Sequence, residues 1–298
     1  MTAMEQARAL LAAADEALPR VRKGEPDALP ALRTAVIHLQ ALGEACPRAL
    51  GLHRRHRKRL ASVVRYLEGG QTAEGRRRWL EGLSEAGGNP VADHLHTELE
   101  ARATGAEVAI AAGLPRRWGK LSGRLQRLLK SRGGEDTALN GCLVPSLQAD
   151  LRDLTAGLTN QPGPDDAGQL HRLTLVARRL QHRLGLLPGT EAATATLDRL
   201  ATDLAGAVDL HGLTGELTTL GADLGANWGR QRLEAALAEV EAAARPEDPL
   251  PEAEALARLL AQQRRSHYAG AVAPWLGAGA APALTPVAGA IQDVEAGS

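Results

Sequence analysis

Apolar residues recur along this chain at three- and four-residue steps, the period of a helix with one buried face. Leu10, Leu11, Ala14 and Leu18 mark a first helix from Thr2 to about Val21. Leu29, Leu32, Val36, Leu39 and Leu42 mark a second, from about Asp27 to Ala45, with Pro26 at a position that tolerates a helix start and Pro47 as its stop. A third helix, about Arg48 to Glu68, turns Leu52, Leu60, Val63, Val64 and Leu67 inward and ends at Gly69-Gly70. A short helix follows from Thr72, whose hydroxyl is placed to cap it, to Ala86. Beyond the Gly87-Gly88-Asn89-Pro90 break, Val91 to Ala112 forms a fifth helix, which Gly113 and Pro115 are expected to interrupt.

A basic stretch over Arg116 to Arg132 comes next, then Gly133-Gly134, then a helix around Asp136 to Leu158. His171 to Leu187 carries the clearest stripe, with Leu173, Val176, Ala177, Leu180, Leu184 and Leu187 on one side. Thr190 is placed to cap a helix running to about Ala222, which Gly206, Gly212 and Gly215 are expected to break or kink. Asn227 to Ala244, closed by Pro246, and Glu252 to about Trp275 complete the helical pattern. Residues 277–298, rich in Gly, Ala and Pro, read as an irregular tail.

Short connections between about ten helices imply antiparallel packing, and a basic or His-bearing helix followed by a leucine-rich one recurs near residues 27–68 and 166–222. The expectation is an all-α chain. Its halves are 1–132 and 133–276, built as two four-helix-type bundles with a pseudo-two-fold internal duplication, and 277–298 follows as the tail.

Composition supports the fold class. The chain has no Phe, four Trp and two Tyr in 298 residues, so its core must be Leu, Ala and Val, which favours helix over sheet. Cys46 and Cys142 lack metal-ligand spacing and read as buried thiols in a reducing cytoplasm, with a disulfide as the alternative. The start MTAMEQARAL has no apolar core of a signal peptide. Ala269 to Ile291 is uncharged but too rich in Gly and Pro for a spanning helix. A soluble cytoplasmic protein is expected, with no membrane partner.

Charge is balanced, with 35 basic and 35 acidic residues, so anion binding must come from local segregation. The His171–Leu187 helix supplies one such place. His171, Arg178 and His182 share a strip, with Arg172, Arg179 and Arg183 on the next, and no carboxylate interrupts the run. A second is HRRHRKR from His53 to Arg59. Either can be a solvated face paired with acids of a neighbouring helix. The same applies to Arg76–Arg78 and Arg116–Lys130, while the four Trp read as packing residues and Asp209 as a structural acceptor.

The run from His171 resembles the signature helix of CHAD domains, the conserved histidine α-helical domain family. His171, Arg178, Arg179 and Leu180 stand in register, and LAGAVDLHGL from Leu204 resembles the family's following segment, with Asp209 in its acidic place. In the first half Arg33 and Leu39 are kept, but Pro30 stands for the histidine, Ile37 and His38 for the double Arg, and Tyr66 for the acid after Arg65. The resemblance implies two four-helix bundles about a pseudo-two-fold and binding of inorganic polyphosphate, free or in granules, on a basic surface.

Polyphosphate offers closely spaced anionic oxygens and no bases. Forked Arg and point-charge Lys suit it, and stacking aromatics are not needed. The candidate residues are His171, Arg178, Arg179, His182 and Arg183, then Arg33, His38, Arg54, Arg55, Lys58 and Arg65. No phosphate loop, His-Glu-x-x-His pattern, nucleophile elbow or carboxylate array accompanies them, so a non-enzymatic binder without cofactor or metal is expected. A helical scaffold for protein contacts is the alternative, and nucleic-acid binding a weaker one.

Overall fold

The computed structural model describes residues 1–69, 71–84, 89–131, 137–237 and 250–297, and every named element in them is helical. In chain order these are α1 (Ala3–Arg22), α2 (Ala28–Ala45), α3 (Arg54–Leu67), α4 (Gln71–Ser84), α5 (Pro90–Ser131) and α6 (Leu139–Thr159). There follow α7 (Ala167–Leu184), α8 (Glu191–Leu237), α9 (Leu250–His267), α10 (Ala280–Ala283) and α11 (Thr285–Ala296), with π and 3-10 turns over 268–279. The all-α expectation therefore holds. The 132/133 boundary, the Gly87-Gly88 and Gly133-Gly134 breaks, Gly70, and the end of the expected 227–244 helix with Pro246 lie outside the described residues.

Most helices coincide with the apolar stripes that define them. α1 begins with a capping box, Thr2 Oγ1 accepting from the Glu5 amide at 3.1 Å while Glu5 Oε2 accepts from the Thr2 amide at 2.8 Å. One large core joins α1, α2, α3 and the second half of α5 to α6, α7, the first half of α8 and α11. A smaller one packs Leu80 of α4 and Val91, Leu95 and Leu99 of α5 against Leu210, Leu213 and Leu217 of α8 and Leu256 and Leu260 of α9.

Several expectations are corrected. α5 does not stop at Pro115 but runs through it. A proline inside a helix costs about 3 kcal/mol. Leu114 and Trp118 on either side are fully buried, each stabilising by about 1.5–3 kcal/mol. The Trp118 indole also donates to Asp15 Oδ1 at 2.8 Å, and Ser122 and Gln126 donate to the same carboxylate, clamping α5 to α1.

α8 likewise passes through Gly206, Gly212 and Gly215. The first two glycines permit close packing instead of breaking the helix. A methyl at Gly206 would lie 2.8 Å from His267 Nε2 and 3.2 Å from the Trp79 ring, and one at Gly212 would collide with the Arg76 guanidinium. Thr190 does not spend its hydroxyl as a cap. It donates to the Leu184 and Leu187 carbonyls, closing the end of α7.

The expected tail is α10 and α11, with Leu284, Val287 and Ile291 buried in the large core against α6 and α8. Cys46 and Cys142 form a disulfide that ties the end of α2 to the first turn of α6. That removes the reduced-thiol ground for the cytoplasmic expectation. Among the described residues no helix is long and apolar enough to cross a membrane.

Candidate functional site

Three separate settings hold ten of the eleven nominated residues. The first is the solvent face of α3. Arg54, Arg55, Lys58, Arg59 and Arg65 are exposed, because Leu60, Val63, Val64 and Leu67 take the opposite face into the core. At 100° per residue, Arg54, Lys58 and Arg65 fall within one narrow strip and Arg55 and Arg59 flank it, over about 17 Å of helix. No described carboxylate forms a salt bridge with any of the five. The helix start adds to the field: α3 has no side-chain cap and no acid in its first turn. Arg54, Arg57 and Lys58 line a shallow notch of about 420 Å³ with Glu44 and Ala61, and the Arg57 Nε there is buried without a partner. His56, within the same run, is buried, and burial with Arg55 beside it lowers its pKa.

Across the end of α3 the basic surface continues onto α5. Tyr66 donates its hydroxyl to the Ala109 carbonyl, and the Arg117 guanidinium sits 4.3 Å over the Tyr66 ring. Arg116, Arg117, Lys120, Arg127 and Lys130 are all exposed along α5.

The second setting is a buried clamp at Asp150 of α6, a carboxylate only 4% exposed. Arg179 reaches its Oδ1 through Nε at 2.9 Å and Nη2 at 2.7 Å. Arg183, 7% exposed, binds Oδ2 and approaches Glu44 at 3.7 Å. Here the expectation of an anion-facing surface is corrected. Arg183 is inside the protein and committed to its own acids, and Arg179 shares the same carboxylate. No acid lies within the 171–187 run, but α6 supplies one. His171 stands apart, exposed near the start of α7.

The third is a cleft of about 1030 Å³ where α2, α3, α4, α5, α7, α8 and α9 converge. Arg33, Arg178 and His182 line it. His182 meets His38 edge-to-face with ring centroids 5.8 Å apart. Burial pushes the His182 pKa down to about 4, helped by His38 and Arg178, and burial also lowers that of His38. Both imidazoles are therefore neutral at physiological pH and offer an N–H but no charge. The Arg33 Nε donates to the Leu67 carbonyl at 2.9 Å.

Acids also line the cleft, and linear reading did not place them. Glu68, Glu107 and Asp209 lie among its walls. Asp209, read as a structural acceptor, makes no hydrogen bond or salt bridge within the described residues. Burial raises its pKa to about 6 against the opposing pull of Arg76 and Arg178. Burial raises that of Glu68 as well. Gly75 of α4 lies against the Asp209 carboxylate of α8, a contact across the fold that no local pattern signals.

Among the described residues no group of three or more His, Cys, Asp or Glu is placed to hold a metal ion. Compared with known proteins, the chain matches no family model, no curated protein and no solved structure.

Proposed function

We propose that this chain is a non-enzymatic polyanion-binding protein of CHAD-like architecture, and that its ligand is inorganic polyphosphate. The observation that carries the reading is the α3 face: five exposed cations on one helix without a salt-bridging carboxylate. Arg54, Arg55, Lys58 and Arg65 are the primary contacts, and the exposed cations of α5 extend the track. Aromatic residues are 2% of the chain, which favours a ligand made of phosphates alone over a single strand whose bases would be stacked. Arg178 and Arg33 are secondary, because the cleft they line is rich in carboxylates.

Two halves related by internal duplication belong to the same reading. Its support is the meeting of the starts of α1 and α6: Thr2 and Ala138, which immediately precede these helices, pair as an isolated antiparallel bridge. The Ala3 amide donates to the Thr137 carbonyl at 3.2 Å, and the Leu139 amide to that of Met1 at 3.3 Å. Every antiparallel bridge has a local two-fold, and here it falls between the starts of the helices that would head the two halves.

Titration with long-chain polyphosphate, short duplex DNA and ATP across a salt series tests the function. By analogy with single-stranded nucleic acids, four contacting cations give a slope of log affinity on log salt of about −3. Changing Arg54, Arg55 and Lys58 to Gln together should flatten it by about 2. Polyphosphate bound no more tightly than DNA at physiological salt refutes the reading. So does a triple variant that binds like the parent.

A further inference from the structure

The cleft holds charges that face one another without touching. Arg33 lies in the fields of Glu107 and Glu68, Arg178 in those of Glu68 and Asp209. None of these pairs forms a salt bridge among the described residues, whereas other cleft carboxylates have close partners. Glu74 is held by Arg77 and Arg78, and Asp198 accepts from Gln181 at 3.0 Å. The cleft lining thus sets acids and bases around one open space, and Arg33, Glu68, Arg178 and Asp209 are all partly withdrawn from water. Half-desolvated charges separated by open space are costly unless something polar fills the gaps.

We infer that the floor of this cleft binds a small zwitterion whose ammonium groups outnumber its carboxylates, a diamino acid being the simplest. Its carboxylate lies against Arg178, where a guanidinium offers forked donors. Its ammonium groups lie against Glu68 and Asp209, the acids on either side of that guanidinium. Carboxylates outnumber guanidinium groups in the cleft lining, seven to four, and Arg76 beside Asp209 leaves that excess in place, so the ligand carries net positive charge. Elevated carboxyl pKa values in a large concavity mark a site that a cation would relieve. The Trp79 ring on the wall adds a surface for an alkyl-ammonium stem. This site shares Arg178 with the secondary polyphosphate contacts but does not depend on the α3 face.

Calorimetric titration of the full chain with L-lysine, putrescine and succinate at pH 7.5 tests the inference. L-lysine should bind saturably, putrescine at least several-fold more weakly for lack of the carboxylate, and succinate not at all. Glu68→Gln should weaken lysine at least tenfold while leaving the helical circular dichroism unchanged and polyphosphate affinity no weaker. Should that variant misfold, Asp209→Asn provides the same test. The inference is overturned by no saturable lysine binding up to about 10 mM, a range that covers sites of only a few kcal/mol. Putrescine binding as tightly as lysine also overturns it, since the carboxylate would then have no seat, as does a folded variant that binds lysine like the parent.

Discussion

Substituting Asp150 by alanine removes the acceptor shared by two arginines and leaves the Arg183 guanidinium inside the protein. Arg179 loses little, because its side chain is 39% exposed and can turn to water, a change worth under about 1 kcal/mol. Arg183 has no such exit: it is 7% exposed, and its Nε is already without a partner. Breaking a buried pair from one side costs about 3–5 kcal/mol, and Glu44 at 3.7 Å compensates only in part, which places Asp150→Ala near 3 kcal/mol. In a chain of this size that lowers the Tm by roughly 6–12 °C. The companion double variant, Asp150→Leu with Arg183→Met, removes both charges and should melt within about 3 °C of the parent or above it. Thermal and urea unfolding followed by circular dichroism measure both. A single variant that loses under about 1 kcal/mol, as an exposed pair would, refutes the assignment of Arg183 as a buried structural cation.

Two further predictions follow from the cleft and the disulfide. His182, pushed from 6.5 to about 4, contributes stability that is full above about pH 6.5 and is lost as pH falls toward 4. Asp209, pushed from 3.8 to about 6, has the opposite sign: its contribution is full below about pH 3.8 and is lost as pH rises toward 6. Each is worth at most about 3 kcal/mol, so they nearly cancel in the parent. His182→Gln should therefore grow less stable from pH 4.5 to 6.5 relative to the parent, and Asp209→Asn more stable. Urea midpoints that move in parallel for all three proteins would sink the argument. Reducing the Cys46–Cys142 bond, or replacing Cys142 with Ser, should cost about 2–4 kcal/mol because it closes a long loop. An unchanged melting temperature under a dithiol reductant would rule this out.

Much of the helical order was legible because Leu and Val at helical spacing admit few other solutions. The inner faces of α1, α2, α3 and α7 are the stripes read from the chain, and their residues are in the core. Local breakers misled where tertiary packing outweighed them. Pro115 sits between Leu114 and Trp118, whose burial carries the helix through it, and Gly206 is small because Trp79 and His267 press against it. Nor does the tail's Gly and Ala content reveal that Val287 and Ile291, four apart, close the large core. The candidate site was legible only where its chemistry is local. Exposure of Arg54, Arg55 and Lys58 follows from the spacing of α3 itself. Commitment of Arg179 and Arg183 to Asp150, some thirty residues earlier, leaves no trace in their own helix. The acids of the cleft arrive from the end of α3, from α5 and from α8, and no linear pattern unites them.

The bond between Cys46 and Cys142 also changes what kind of object the chain is. With its ends 96 residues apart in sequence, it makes α3, α4 and α5 part of a covalent ring, from which α1–α2 and α6–α11 extend as two arms. Tension applied between the chain's two ends passes through the sulfur atoms and never reaches the ring's backbone, hiding about 330 Å of extensible length. The basic face of α3 lies within that sheltered segment. A single backbone cut inside the ring likewise leaves one covalent molecule, so the helix carrying the exposed cations stays tethered to both arms while the disulfide is intact.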